Sequence, residues 1–264
     1  MPRSSLYTRR IAISAIFLSL ALVLRLTLSW YLPLFGQNGM RVGVAPIFSM
    51  MPAILFGPVY GAIVSGLTDV LGFLLRPAGP FLPLMTLVVT AGGFIRGALW
   101  LVLRGKSSKM MRLTVAVLSV FLLLFGLFNI FSLHADGIQV GLYNYVDDSQ
   151  AVALTTGLLG SAAFGFALLG ADFIISKRFV KEGKESRIMP LLITILVSGA
   201  IVSTLNTIVL RETIFREAWQ LLPFVVVWLP RMIEAIVSNT IYVYFMALLL
   251  GIFERQQNLR ELIR

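Results

Sequence analysis

Residues 42–75 read VGVAPIFSMMPAILFGPVYGAIVSGLTDVLGFLL, and the way this stretch divides decides how often the chain crosses a membrane. It is too long and too apolar for one core helix, and Gly57-Pro58 breaks it in the middle. Glycine ends a helix readily, and proline suits the first turn of the next because that turn needs no N–H from it. Two consecutive helices are expected, one on each side of Gly57. Pro46 and Pro52 fall in the first, where each should delete a backbone hydrogen bond that lipid cannot replace. That helix is expected to be kinked and covered by protein.

Apolar runs of about the 20 residues a bilayer demands flank this pair, at 10–33, 82–103, 112–133, 151–176, 188–210 and 220–253. The expected fold is an all-α polytopic membrane bundle of about eight helices, forming one domain over residues 1–264. Apolar residues fill 58% of the 264 positions and charged ones 13%, with mean hydropathy +0.90. Water is not the solvent for most of such a surface. The first apolar run outlasts a cleavable signal and reads as a permanent first helix.

The net charge of +10 would suggest nucleic acid in a soluble protein, but the basic residues lie between apolar runs. Arg9 and Arg10 precede span one; Arg104, Lys106, Lys109 and Arg112 separate spans four and five. Lys177, Arg178, Lys181, Lys184 and Arg187 separate six and seven, and Arg255, Arg260 and Arg264 follow eight. With eight spans all four clusters share one side, so both termini are expected in the cytoplasm. Asp136, Asp147 and Asp148 fall on the other side, as does the mixed segment Arg211, Glu212, Arg216, Glu217. Pro77, Pro80 and Pro83, with Gly79, make the outer connection between spans three and four stiff and non-helical.

Chemistry is narrowly bounded. Cysteine is absent and His134 is the one histidine, which removes thiolate metal sites, cysteine nucleophiles and most catalytic triads. No metal or cofactor is implied. Gly105-Lys106-Ser107 imitates the end of a phosphate loop, but Trp100 stands where its first glycine belongs. If the chain takes part in transport, the energy comes from elsewhere.

Ionisable groups inside a span are costly, so they pair, face the bundle interior or line a cavity. Arg25, Asp69, Asn206 and Arg231 are expected at one depth near the outer leaflet, with Glu234 one turn beyond Arg231 and Arg41 and Arg76 at the mouth. Two readings are open: ion pairs that merely make the bundle tolerable, or an outward-facing pocket. Arg96 and Asp172, in the inner half, are expected to snorkel to the cytosol. Gly61, Ser65, Asp69 and Gly72 share a stripe of span three. Trp228, Arg231, Glu234 and Ser238 recur at three- and four-residue steps on span eight, setting an aromatic plane beside a cation and a carboxylate. On span one, Ala12, Ala15 and Ser19 form a small-residue stripe, with Arg25 about a third of a turn away.

Several segments together resemble a known family: Met40-Arg41-Val42-Gly43-Val44-Ala45-Pro46, Leu55-Phe56-Gly57-Pro58-Val59-Tyr60-Gly61-Ala62, Asp69-Val70-Leu71-Gly72 and Pro77-Ala78-Gly79-Pro80-Phe81-Leu82-Pro83. Leu205-Asn206-Thr207 and Leu229-Pro230-Arg231-Met232 add to them. They are similar to the substrate-binding S component of energy-coupling factor (ECF) vitamin transporters, above all its folate-type branch. The resemblance implies a vitamin-capture subunit that docks on a membrane scaffold (T) component bearing two cytoplasmic ATPases, binds its vitamin outside and topples in the bilayer to release it. It also implies a bacterial inner-membrane location and a site among the outer helix ends. There Arg25, Arg41 and Arg231 would answer ligand negative charge, Asp69 or Asn206 would read ring donors and acceptors, and Phe81 or Trp228 would stack. Ala12, Ala15 and Ser19 would face the scaffold. The family norm is six spans, so residues 1–104 and 187–254 correspond to the core, and residues 105–186 add a helical hairpin with an acidic outer loop. A stand-alone secondary transporter and a lipid-directed membrane enzyme using Asp69 and Glu234 are the alternatives.

Overall fold

The computed structural model describes residues 3–34, 37–77, 79–106, 108–134, 148–179, 188–219, 222–256 and Leu262. Helix α1 (Arg3–Thr27) leads into strands β1 (Ser29–Leu34) and β2 (Gln37–Gly43), followed by α2 (Ala45–Phe56), α3 (Pro58–Leu75) and α4 (Pro83–Leu103). Then come α5 (Ser108–His134), α6 (Asp148–Phe179), α7 (Ile188–Glu212), the one-turn α8 (Arg216–Trp219) and α9 (Phe224–Arg255). Asp136, Asp147, the basic residues 181–187, Arg260 and Arg264 lie outside the described residues.

Among the described residues, six helices are long and apolar enough to cross a bilayer: α1, α3, α4, α5, α7 and α9. Of the remaining helices, Ala45–Phe56 is short, and α6, although 32 residues long, is apolar over Thr155–Gly170. At 1.5 Å per residue α2 is about 18 Å long, well under the ~30 Å of hydrocarbon. The fold is a helical membrane bundle in which six helices meet both the length and the apolarity requirement among the described residues, where eight spans are expected from the sequence.

Two local expectations are corrected. The first apolar run does not stay helical to residue 33, because α1 ends at Thr27 and residues 29–34 turn back as a strand. Ser29 Oγ donates to the Arg25 carbonyl at 2.6 Å, satisfying one of the acceptors a helix end leaves free. The antiparallel register sets Trp30 opposite Val42 and Tyr31 opposite Arg41, so the bundle is not purely α. Pro46 also costs no hydrogen bond, since it sits in the first turn of α2, where its missing N–H would have no helical partner. Pro52 alone interrupts α2.

Between α2 and α3, Gly57 takes φ +98°, a left-handed conformation that L side chains rarely adopt. Beyond it α3 packs on α4 at very short range. A Cβ added to Gly61 would stand 2.5 Å from the Gly93 carbonyl oxygen. The bundle continues from α4 to α7 and from α7 to α9, with α1 against α2 and α3, and α2 inserted among α1, α3, α4 and α9. Helices α5 and α6 pair with each other and meet the rest through α7 and α9.

The larger apolar core fills one end. Met51 and Ile54 of α2, Trp100 near the end of α4, Met189 and Ile195 at the start of α7, and Met246 near the end of α9 belong to one buried cluster. Burying side chains of this size from water is worth about 1.5–3 kcal/mol each; between helices in lipid, close packing supplies the attraction instead. At the opposite end, where α1 and α3 finish and α9 begins, the bundle is hollow beside a smaller buried cluster of Leu210, Trp219 and Val227.

Candidate functional site

Two adjoining cavities of about 190 and 590 Å³ occupy that hollow end, and both are lined by Arg25, Arg41, Asp69 and Arg96. The larger also takes in Arg76, Phe81, Asn206, Arg231 and Glu234. Of the seven ligand-binding candidates, Arg25, Arg41, Asp69, Phe81, Asn206 and Arg231 therefore converge on one recess. Trp228 is not among its lining residues. Its Nε1 instead donates to Thr204 Oγ1 on α7 at 2.8 Å, and its ring stacks on Phe224.

The wall formed by α1 and α3 is held by an ion pair. Arg25 Nη2 lies 3.3 Å from Asp69 Oδ1, and Nη1 donates to the Thr68 carbonyl at 2.8 Å. Thr86 Oγ1, reaching over from α4, donates to the other Asp69 oxygen at 2.9 Å. Asp69 is thus engaged at both oxygens, and its main physical work is to hold α1, α3 and α4 together. Arg76, just past the end of α3, donates to the Leu26 carbonyl at 3.1 Å and so ties the same corner.

The facing wall comes from α7 and α9. Arg231 Nε donates to Thr207 Oγ1 at 2.8 Å, and Ser203 Oγ donates to the Arg231 carbonyl at 3.3 Å. One turn on, Ser238 Oγ donates to Glu234 Oε1 at 2.8 Å. Asn206 Oδ1 is buried and accepts no hydrogen bond, an arrangement that carries a cost unless an occupant supplies the donor. Phe81, 43% exposed, packs beside Phe73 with ring centroids 5.0 Å apart, leaving it available to a flat ring.

The β1–β2 hairpin forms the rim. Arg41 is exposed on β2, and Tyr31 opposite it lines the same cavity. Tyr242 Oη of α9 donates to the Gly43 carbonyl at 2.5 Å, anchoring the end of the hairpin to the far wall. Sequence reasoning missed this rim, and it missed Arg96, which the structure shows 5% exposed on the cavity rather than extended toward water. Gly92, Gly93 and Gly97 around it were the available signal, since they allow α3 and α7 to close over that part of α4. The side chain of Asp172 lies outside the described residues.

Ala12, Ala15 and Ser19 form an outward face on α1, while Ser14, Phe17 and Ala21 turn inward and are buried. Ser19 Oγ returns to the Ala15 carbonyl at 2.9 Å, so this face presents few polar atoms to a neighbour. No described residue of α5 or α6 lines either cavity. Among the described residues, no three Asp, Glu or His side chains gather as a metal ion would require.

Comparison with family models, with curated proteins and with solved structures gives no match to this chain.

Proposed function

We propose that this chain is the vitamin-binding membrane subunit of an ECF-type importer, taking folate or a related anionic vitamin. The single observation that carries the reading is the convergence of Arg25, Arg41, Arg231, Asn206 and Phe81 on one recess of about 590 Å³. That volume suits a small organic solute, and its wall mixes arginines and other polar groups with apolar side chains such as Phe73 and Met85. Arginines answer carboxylates, Asn206 answers a ring donor, and Phe81 offers a stacking plane.

On this reading α2 and α6 complete an eight-span topology with both termini cytoplasmic, in a bacterial inner membrane. Residues 1–104 and 187–254 act as the capture core, and residues 105–186 are an attached hairpin whose described residues do not line the recess. The outward Ala12, Ala15 and Ser19 face is the docking surface for a membrane scaffold component, which couples the chain to two cytoplasmic ATPases. The lipid-enzyme alternative needs two carboxylates available for proton transfer. With Arg25 and Thr86 on its two oxygens, Asp69 is poorly suited to that work.

The test is equilibrium binding by the purified single chain in nanodiscs, with folate first and a panel of other vitamins after it. Retention of one vitamin at submicromolar concentration, read by native mass spectrometry, is the expected result. Failure to retain any of them defeats the reading.

A further inference from the structure

Arg96 stands in the second half of α4 and is 5% exposed. Its Nε is buried without a hydrogen-bond partner. Among the described residues, the carboxylates lining the recess beside it are Asp69 and Glu234, and the Asp69 oxygens are engaged by Arg25 and Thr86. A guanidinium taken out of water without a counter-charge is among the most costly groups a protein can bury. Something must answer it.

The direction of the side chain follows from the helix itself. A Cβ on Gly92 would run into Val202 of α7, and one on Gly97 would stand 2.5 Å from Pro58 of α3. At about 100° per residue, position 96 falls between those two directions. Arg96 therefore projects into the wedge between α3 and α7, which is where the two cavities meet. The glycines that bring the helices together also deny this side chain any route to the lipid face.

The charge of the recess points the same way. Among the described lining residues of the larger cavity, Arg25, Arg41, Arg76, Arg96 and Arg231 stand against Asp69 and Glu234, an excess of three positive charges. One acid group on a solute would leave this imbalance largely standing. A solute with two or more, spaced along the recess, would match it.

We propose that Arg96 is the deep anion-binding residue of the recess, and that the occupant carries at least two acid groups, one seated on Arg96 and another near Arg41 at the rim. This rests on the reading of the recess as a solute site. Carboxylate and phosphate would both satisfy the guanidinium fork, so the test separates them.

The full-length chain in phosphatidylcholine nanodiscs is unfolded thermally in sodium chloride, sodium glutarate or sodium phosphate at equal ionic strength. Glutarate or phosphate should raise the wild-type midpoint by several degrees over chloride, the effective one naming the acid type. Arg96→Gln should lose that rise while unfolding in chloride no earlier than wild type, because an unanswered buried charge has been removed. Arg96→Lys should keep part of the rise. The proposal is overturned if neither anion protects the wild type, if Arg96→Gln keeps the full rise, or if it unfolds early or fails to fold in chloride while Arg96→Lys does not. Folate retained by the wild type with unchanged affinity in Arg96→Gln would remove Arg96 and leave the solute site standing. Anion protection through Arg96 with no vitamin retained would remove the vitamin reading alone.

Discussion

The guanidinium of Arg25 lies against the backbone of Gly72: a Cβ built on that glycine would stand 2.5 Å from Arg25 Nε and 2.6 Å from Cζ. The arginine reaches Asp69 and the Thr68 carbonyl only because position 72, one turn further along α3, has no side chain. Gly72→Ala should push Arg25 off Asp69 and distort the wall of the recess while leaving α3 helical. Ligand affinity is expected to fall about tenfold, or ~1.4 kcal/mol, in equilibrium binding, with little change in circular dichroism. Unchanged affinity would mean that the Arg25 position is irrelevant to the occupant.

Removing the carboxylate should act on stability before it acts on binding. Asp69→Asn leaves a partly buried Arg25 without its ion pair, and Thr86 without a charged acceptor. A fully buried pair broken in this way costs about 3–5 kcal/mol; with the two side chains 12% and 21% exposed, about 2 kcal/mol is expected after screening. A lowered midpoint in thermal unfolding, partly restored by the double variant with Arg25→Gln, is the outcome to look for. If the double variant is no better than Asp69→Asn, the loss does not come from a stranded charge.

How much of this could be read in the sequence depended on the range of the interaction involved. Gly57-Pro58 marked the break between α2 and α3 because both residues act on their own backbone. Arg25, Asp69 and Arg231 were flagged because an ionisable residue inside an apolar run is costly wherever the bundle puts it. Arg96 carried the same flag, but its depth suggested an escape to the cytosol. Only the tertiary approach of α3 and α7, made by Gly92, Gly93 and Gly97, closes that route. The β1–β2 hairpin was hidden for a different reason. Ser29-Trp30-Tyr31-Leu32 is as apolar as a helix end, and its strand state depends on pairing with residues 37–43. Trp228 shares a helix stripe with Arg231, yet its indole N–H finds Thr204, a partner on another helix that spacing along α9 does not reveal.

The hairpin should govern how long a ligand stays. Tyr242→Phe removes the donor to the Gly43 carbonyl and frees the rim from α9, at a cost of about 1 kcal/mol. Ligand dissociation should accelerate roughly fivefold, with faster amide exchange confined to residues 37–43. Equal off-rates for the variant and the wild type would rule out a retaining role for this contact.

Arrival should depend on ionic strength. The arginine excess in the recess attracts an anion over a distance that salt shortens, from about 30 Å at 0.01 M to about 8 Å at 0.15 M. Association rates for an anionic vitamin should therefore drop severalfold across that range in stopped-flow fluorescence, while dissociation stays nearly constant. A flat association rate would show that the arginines serve the bound state alone.

The larger core, below the recess, restricts the route a passenger could take. Trp100 lies one turn beyond Arg96, and Met51, Ile195 and Met246 in the same cluster are entirely shut off from solvent. A molecule resting on the deep arginine has a sealed apolar plug beneath it. Onward travel requires either prying apart a close-packed interior, which is mechanically stiff, or turning the whole body so that its mouth faces the other way. The three methionines in that plug, Met51, Met189 and Met246, are the most pliant apolar side chains available, so if the plug does yield, it should yield there first.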